Sequence, residues 1–248
     1  GRKNLIINGG FDVWQRGTSQ TASSFGSDDR WNNLAATSTQ TVSRQAFTLG
    51  QTDVPNNPKY YSRTVVSSVA GAANLIIKLY KIENVETLAG TTATLSFWAK
   101  ADANKNIAIE FEQAFGTGGS PSTTVRFGTT TLSLTTSWAK QTISVALPSI
   151  TGKTLGTGND HISIVIWLDA GSDYNSRTNS LGQQSGTFEF SNVQLEKGSV
   201  ATDFEHRSYG EELALCQRYF EVLSTTSDNN KNRYNGIAWD ASNLNIYI

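Results

Sequence analysis

Cysteine, methionine and proline are scarce in this chain of 248 residues, which has one cysteine, no methionine and four prolines. The single Cys216 excludes an intrachain disulfide framework and any cysteine-based metal cluster. An excess of charge of one sign is also missing, because 20 lysines and arginines stand against 21 aspartates and glutamates. The net charge of −1 provides no basic field for nucleic acid or for anionic lipid, so neither partner is expected.

Long hydrophobic runs are absent too, since no apolar segment approaches the ~20 residues that a membrane-spanning helix needs. The apolar run near the basic start of the chain is too short for a signal peptide. Histidine is limited to His161 and His206, which form no H-E-x-x-H pair, and the sequence has no G-x-S-x-G elbow. We therefore expect neither membrane insertion nor a zinc or serine enzyme.

What the chain does contain is a recurring alternation of apolar and polar residues, interrupted by turns rich in glycine. Short strands joined by such turns predict an all-β jelly-roll sandwich over residues 1–205, followed by an appendage over residues 206–248. Seven segments show the alternation most clearly: Asn74–Ile82, Thr92–Lys100, Asn106–Ala114, Ser122–Phe127, Ser137–Leu147, His161–Asp169 and Thr187–Leu195.

The appendage opens with the clearest helix signal in the chain, over Tyr209–Tyr219. Ser208 is placed to cap the first turn, and Glu211 and Glu212 lie where acidic side chains favour the positive end of the helix dipole. Beyond the helix, a polar loop and the sequence GIAWDASNLNIYI, within residues 224–248, predict the start of a second β-segment.

The two ends of the predicted sandwich resemble known motifs. Asn4–Gly17, which we predict as the first strand, is similar to the opening N-L-x-x-N-G-x-F-E of jelly-roll carbohydrate-binding modules of the cellulose- and xylan-binding type. Leu95–Ala101, Ser137-Trp138 and the closing segment Phe188–Leu195 follow in the order of such modules. The resemblance covers residues 4 to about 205.

The stretch that follows, VQLEKGSVATDFE and then EELALCQRYF, resembles a junction found in bacteriophage tail-fibre proteins. This resemblance implies non-catalytic binding of a cell-surface or extracellular polysaccharide. It also implies a place in the virion, as part of a tail fibre or comparable appendage that attaches to a host. Tail fibres are usually homotrimers, so the resemblance implies that assembly for the full-length fibre.

The resemblance further implies a structural metal ion. In such modules a calcium often joins the first and last strands. The carboxylate of the opening motif is Asp12 here, whereas Ser191 and Asn192 occupy the closing strand where an aspartate is usual. A hard cation prefers several oxygen ligands, some of them charged. The implied calcium site, with Asp12 and Asn192, therefore has one carboxylate fewer than usual.

Strand alternation also suggests a sugar-binding surface. If the most apolar row of each strand faces the core, the other rows form one polar and aromatic face. Aromatic rings stack on the C–H face of a pyranose, and charged side chains hydrogen-bond its hydroxyls. The predicted carbohydrate-binding residues are Trp98, Trp167, Lys78, Tyr80, Lys100, Glu110, Glu112 and His161.

A structural role is the main alternative for the tryptophans. A tryptophan in a β-sandwich is more often part of the core than of a ligand platform. We predict that role for Trp14, Trp31 and Trp138, and Trp98 and Trp167 fit either interpretation. If both are core residues, the chain is a structural or assembly module of a fibre.

A glycan depolymerase is a further alternative. Glu110 and Glu112 lie two residues apart on one strand, roughly 7 Å from each other. This separation is compatible with the ~5–9.5 Å between the carboxyls of a glycosidase pair. A row of glutamates on an exposed strand explains the same pattern more simply, so no catalytic residue is predicted.

Overall fold

The computed structural model describes residues 3–222, which form two antiparallel β-sheets packed face to face. The six-stranded sheet has the order β1-β3-β4-β11-β6-β9, and the five-stranded sheet has the order β2-β5-β10-β7-β8. This architecture confirms the predicted all-β sandwich, whereas the predicted β-segment over residues 224–248 lies outside the described residues. The strands are β1 (Ser19–Gln20), β2 (Trp31–Ala36), β3 (Thr39–Ala46), β4 (Tyr60–Ser67), β5 (Leu75–Glu83), β6 (Thr92–Ala101), β7 (Lys105–Thr117), β8 (Val125–Leu134), β9 (Ala139–Ala146), β10 (Gly158–Ala170) and β11 (Gly186–Lys197).

Six of the seven segments with clear alternation match β5, β6, β7, β9, β10 and β11, whereas Ser122–Phe127 overlaps β8 only over its last three residues. Strands β2, β3 and β4 have no clear apolar row, because several of their inward-facing positions are polar. Asn33, Gln40 and Thr64 are all buried although none of them is hydrophobic. A period-2 pattern of hydrophobicity therefore does not reveal these strands.

The opening segment, residues 4–17, is a set of turns, so its assignment as the first strand is wrong. Asn8 and Phe11 have φ angles of 58° and 57°, which a strand does not contain. The Asn8 side chain closes the turn, since its Oδ1 accepts from the Val13 amide at 2.9 Å and its Nδ2 donates to the Val13 carbonyl at 2.8 Å. The N-G-G-F motif thus forms a hydrogen-bonded corner.

The main hydrophobic core lies between the two sheets. Strand β6 contributes Leu95, Phe97 and Ala99, in the orientation that the alternation predicts. A second apolar cluster lies on the outer face of the five-stranded sheet, around Trp167. The connection between β10 and β11 covers it with a single 3₁₀ turn (Ser172–Tyr174) and a short helix, α1 (Asn175–Thr178).

The second helix, α2 (Tyr209–Gln217), begins where the sequence predicts and ends two residues earlier. The Ser208 hydroxyl accepts from the Glu211 amide at 3.3 Å, as expected of an N-cap. Glu212 accepts from the Asn8 amide, so the helix contacts the opening corner. None of the described helices is long and apolar enough to cross a membrane. The boundary at residue 205 stays a prediction.

The linker between β11 and α2 is fixed by the polar residues of the closing motif. The Glu196 carboxylate accepts from the amide and the hydroxyl of Thr202 at 2.8 and 2.7 Å. Gln194 Oε1 accepts from the Glu205 amide at 2.9 Å, and the Glu205 carboxylate accepts from the Asn4 amide at 2.9 Å. The motif thus joins the closing strand to the start of the domain.

Candidate functional site

The eight predicted sugar-binding residues lie on three different surfaces, so the single face expected from alternation is wrong. Two of them point between the sheets, Lys78 and Tyr80. Four belong to the five-stranded sheet and its outer face: Trp167, Glu110, Glu112 and His161. Two remain on the outer face of the six-stranded sheet, Trp98 and Lys100.

Strand β5 was assigned the wrong inward face because it is apolar on both sides. The row of Ile77 and Leu79, expected in the main core, packs in the outer cluster instead. Ile76 and Tyr80 belong to the main core, and Lys78 lies between them on the same face. A strand covered on both faces has no polar row from which its orientation can be predicted.

Buried polar partners hold the inward side chains of β5. The Lys78 ammonium forms an ion pair with Asp28 and donates to Asn33 Oδ1 at 2.7 Å. Burial lowers the pKa of Lys78, although the Asp28 carboxylate opposes that shift. Burial also raises the pKa of Tyr80 to about 12, and its hydroxyl accepts from the Ile7 amide at 2.7 Å. Both side chains are 1% exposed and out of reach of a ligand.

The outer face of the five-stranded sheet is closed by the connection that contains α1. Trp167 is fully buried beneath Tyr174, with ring centroids 5.0 Å apart. The Arg177 guanidinium lies 4.8 Å from the Trp167 ring centre and forms an ion pair with Glu110 at 2.7 Å. The predicted sugar-binding role of Trp167 and Glu110 is therefore wrong, and Trp167 has the structural role given as its alternative. The alternation gives no sign that this connection folds back over the sheet.

Glu110 and Glu112 do share a face, since Arg177 pairs with both of them. Arg126 forms a second ion pair with Glu112 at 2.9 Å. Both carboxylates are thus occupied by arginine, and the fully buried Glu110 cannot approach a glycosidic bond. His161 lies at one end of this sheet, where its Nδ1 lies 2.7 Å from the Asn159 carbonyl and burial lowers its pKa.

The described residues do not fit the implied calcium site. Among residues 3–222, no three His, Cys, Asp or Glu side chains come together to hold a metal ion. Burial and the nearby Glu212 raise the pKa of Asp12 to about 6, and Asn192 Oδ1 accepts from the Ser191 hydroxyl. The link expected from calcium is made by Asn4, whose Oδ1 accepts from the Leu195 amide at 3.2 Å.

The outer face of the six-stranded sheet presents a row of charged side chains across its central strands. Arg63 on β4, Glu189 on β11 and Lys100 on β6 are direct cross-strand neighbours. The Glu189 carboxylate pairs with Arg63 at 2.6 Å and with Lys100 at 3.0 Å. The glutamate side chain is 5% exposed, whereas the lysine and the arginine are 29% and 35% exposed. The cations therefore form the accessible part of this row.

Three half-buried aromatic side chains lie beside the charged row and form what we call the aromatic cluster: Phe47, Tyr61 and Trp138. Their ring centroids are 4.7 to 5.3 Å apart. The Lys100 ammonium lies 5.4 Å from the Trp138 ring centre, in the range of a cation–π contact. The cluster thus joins the aromatic and charged parts of this face.

Trp98 lies in a recess next to this row, which we call the Trp98 recess. It is half-buried and stands directly opposite Lys140 on β9. Asn56 lines one wall from the β3–β4 connection, and Asp203 and Phe204 line the other from the linker. The recess has a volume of about 100 Å³. It is small and combines an aromatic ring with an ammonium, a carboxylate and an amide.

No protein-family model and no curated protein matches the chain. Similar solved structures include one described as "CBM4 structure and function", with 17% identity, 78% of this chain and 100% of that chain covered, and a TM-score of 0.45. The CBM22-2 xylan-binding domain from Paenibacillus barcinonensis Xyn10C has 17% identity, 73% and 98% coverage, and a TM-score of 0.42.

A third similar structure is the enzymatically active domain of bacteriophage CBA120 tailspike protein 4. It has 11% identity and a TM-score of 0.44, and the match covers 79% of this chain. The matched part spans only 21% of that tailspike chain. All three similarities are likenesses of backbone fold at low sequence identity.

Sequence reasoning missed most of the accessible aromatic surface. Trp138, predicted to have a structural role, is a half-buried member of the aromatic cluster on the outer face of the sheet. Tyr61, Arg63 and Glu189 were not singled out. The alternation of Tyr61 and Arg63 within β4 was a usable signal, because residues two apart on a strand share a face.

Proposed function

We propose that this chain binds a glycan without catalysis, through the Trp98 recess and the neighbouring aromatic cluster. The observation that supports the proposal is the half-buried Trp98 ring, which lines the recess together with groups that hydrogen-bond hydroxyls: Asn56, Lys140 and Asp203. Such a ring stacks on the C–H face of a pyranose, and its polar neighbours fix the orientation of the sugar. Trp98 and Lys100 keep the carbohydrate-binding role predicted from the sequence. We now propose the same role for Trp138 and Tyr61.

The absence of a catalytic step from the proposal is supported by the glutamate pair. Glu110 and Glu112 are on the five-stranded sheet, where Arg177 of α1 and Arg126 of β8 pair with them, whereas the recess lies on the six-stranded sheet. A glycosidase instead places two carboxyls on either side of the scissile bond. The depolymerase alternative therefore has no support from these two residues.

The biological setting that we propose is a phage tail fibre or comparable virion appendage that attaches to a host surface. The support is the sequence of the junction between β11 and α2, which resembles that of tail-fibre proteins. A recess of about 100 Å³ contacts little of a polymer, so we expect weak binding at each site. A homotrimeric fibre would raise the overall affinity through multivalency.

A binding assay with matched variants tests the proposal. Purified protein is screened on a broad glycan array and then by affinity electrophoresis in gels that contain the retained polysaccharides. We expect Trp98→Ala to weaken retention about fivefold or more, since it removes the central contact. Tyr209→Ala is the control, because Tyr209 is 60% exposed but lies on α2.

Each result has a distinct meaning. Retention that is lost in Trp98→Ala and kept in Tyr209→Ala supports glycan binding by this face. A silent array together with no retention in any gel contradicts the proposal and favours the structural or assembly module. If the protein released reducing ends from a polysaccharide and Glu112→Gln abolished that release, the proposal that the chain binds glycans without catalysis would be contradicted.

A further inference from the structure

Lys140 presents an ammonium group to the Trp98 recess without an acidic partner. Its side chain is exposed and stands on the strand next to Trp98. Nζ donates to the Thr202 carbonyl at 3.1 Å, and none of the ion pairs between residues 3 and 222 involves this lysine. An ammonium has three donor hydrogens, so it retains two for a ligand at the recess.

The charged row beside the recess also has more accessible cation than accessible anion. Glu189 is shared by Lys100 and Arg63, so one carboxylate balances only one of the two positive charges. The carboxylate is 5% exposed and lies beneath both cations. A polymer that runs from the Trp98 recess to the aromatic cluster would pass directly over Lys100.

Among the described residues, Asp203 is the one acidic group that lines the recess, against the one cation Lys140, and the carboxylate of Glu196 in β11 is occupied. Glu196 is 4% exposed, and its carboxylate accepts two hydrogen bonds from Thr202. Asp203 is exposed and lines the wall formed by the linker. A carboxylate in that place accepts hydrogen bonds from sugar hydroxyls, while the Lys140 ammonium, which also lines the recess, is suited to an anionic substituent.

We infer that the Trp98 recess is selective for an acidic pyranose unit, with Lys140 as the counter-ion of its carboxylate or sulfate group. The inference rests on the proposed glycan-binding function and adds the chemical class of the ligand. In this arrangement Trp98 stacks on the apolar face of the ring, Lys140 pairs with the anionic substituent and Asp203 accepts from a hydroxyl. Lys100 extends the positive surface to the next unit of the polymer.

Polymers that differ only in charge test the inference. Polygalacturonate is compared with its methyl ester, and dextran sulfate with dextran, by affinity electrophoresis at low and at physiological salt. We expect the acidic form of a pair to be retained more strongly than its uncharged counterpart, and this difference should shrink with salt because screening acts on exposed charges. Lys140→Gln should weaken retention of the acidic form about two- to fivefold, the magnitude of one exposed ion pair.

Two further variants make the assignment specific. Lys140→Arg keeps the charge and should retain most of the binding. Lys153→Gln removes an exposed lysine in the connection between β9 and β10 and should have no effect. If only polygalacturonate is retained, the anionic group of the ligand is a carboxylate. If only dextran sulfate is retained, it is a sulfate ester.

The outcomes separate this inference from the function on which it rests. Equal retention of charged and uncharged polymers, lost in Trp98→Ala, overturns acidic selectivity and leaves glycan binding intact. Acidic retention that is unchanged in both Trp98→Ala and Lys140→Gln is adhesion elsewhere on the protein, and it overturns the recess as the site. No retention of any polymer here, together with a silent array, overturns both.

Discussion

The ion pair between Lys78 and Asp28 is the least accessible charge interaction among the described residues, with side-chain exposures of 1% and 0%. The ammonium lies 5.5 Å from the Phe11 ring centre and 5.4 Å from that of Trp31. Asp28 also accepts from the Ser62 hydroxyl at 3.0 Å. Removal of one partner from such a pair leaves an uncompensated charge in the core.

We predict that Lys78→Met lowers the free energy of unfolding by about 3–5 kcal/mol, because Asp28 remains buried without its counter-ion. The double variant with Asp28→Asn should lose less than the single variant. Urea denaturation at pH 7 measures both, with Lys197→Met as the exposed control. A loss below about 1 kcal/mol in the single variant would show that Asp28 finds another partner.

Asp12 makes the free energy of unfolding depend on pH, because its carboxyl is largely buried without a paired cation among residues 3–222. Its pKa is raised from 3.8 to about 6 by burial first and by Glu212 second, while Lys59 opposes the shift. A carboxyl whose pKa is higher in the folded state destabilises the fold when it ionises. The resulting loss is absent below pH 3.8, the ordinary pKa of an aspartate in an unfolded chain, and is complete once the pH has risen through about 6.

Asp12→Asn should therefore be more stable than the wild type above pH 6 by about 1 kcal/mol, a value reduced for partial exposure. The difference should shrink as the pH falls from 6 towards 4. Urea midpoints at five pH values between 4 and 8 measure it. A difference that does not change with pH would show that Asp12 is not the titrating group.

At the scale of elements, strands with one strictly apolar row are predictable and strands with two are not. In β6 the alternation predicts both the strand and its inward side chains, because Leu95 and Phe97 alternate with polar or half-exposed residues. In β5 apolar residues occur on both faces, and the inward row is the one whose Lys78 pairs with Asp28 in the connection between β1 and β2. That contact spans 50 residues and leaves no local trace in the sequence.

The candidate site was only partly predictable for a similar reason. Trp98 and Lys100 follow from the alternation within one strand. The aromatic cluster joins Phe47, Tyr61 and Trp138, which are up to 91 residues apart in the chain. Their contact depends on the order of strands in the sheet, and a period-2 pattern does not encode that order.

The ion pair between Arg177 of helix α1 and Glu110 of β7 should stabilise the fold. Arg177→Ala should lower the free energy of unfolding by about 2–4 kcal/mol, because the buried Glu110 then loses its guanidinium partner. Arg126→Ala is the matched control, since Arg126 is 48% exposed and lies 4.0 Å from Glu110, against 2.7 Å for Arg177, so its ion pairs with Glu112 and Glu110 should contribute less than about 1 kcal/mol. Urea denaturation of both variants measures the difference. Equal losses would show that the cover over Trp167 does not depend on this ion pair.

For the whole molecule, we predict that α2 contributes to the stability of the sandwich. A chain that ends at residue 205 lacks the contacts of Arg207 with the Asn4 and Ile6 carbonyls, as well as that of Glu212 with the Asn8 amide. Its Tm should fall by about 5 °C or more relative to a chain that ends at residue 222. Differential scanning calorimetry measures both. Equal Tm values would support the predicted domain boundary at residue 205.

The hydrogen bonds that join the start of the domain to the linker have a mechanical consequence. The amides of Lys3 and Asn4 both donate to Glu205, so the chain enters and leaves the sandwich at one corner. Tension applied through the two ends would load these few bonds one after another, before any force reached the strand ladders. The sandwich would lie to one side of the line along which the force acts. The outer faces of its sheets would therefore keep their structure while a larger assembly was stretched.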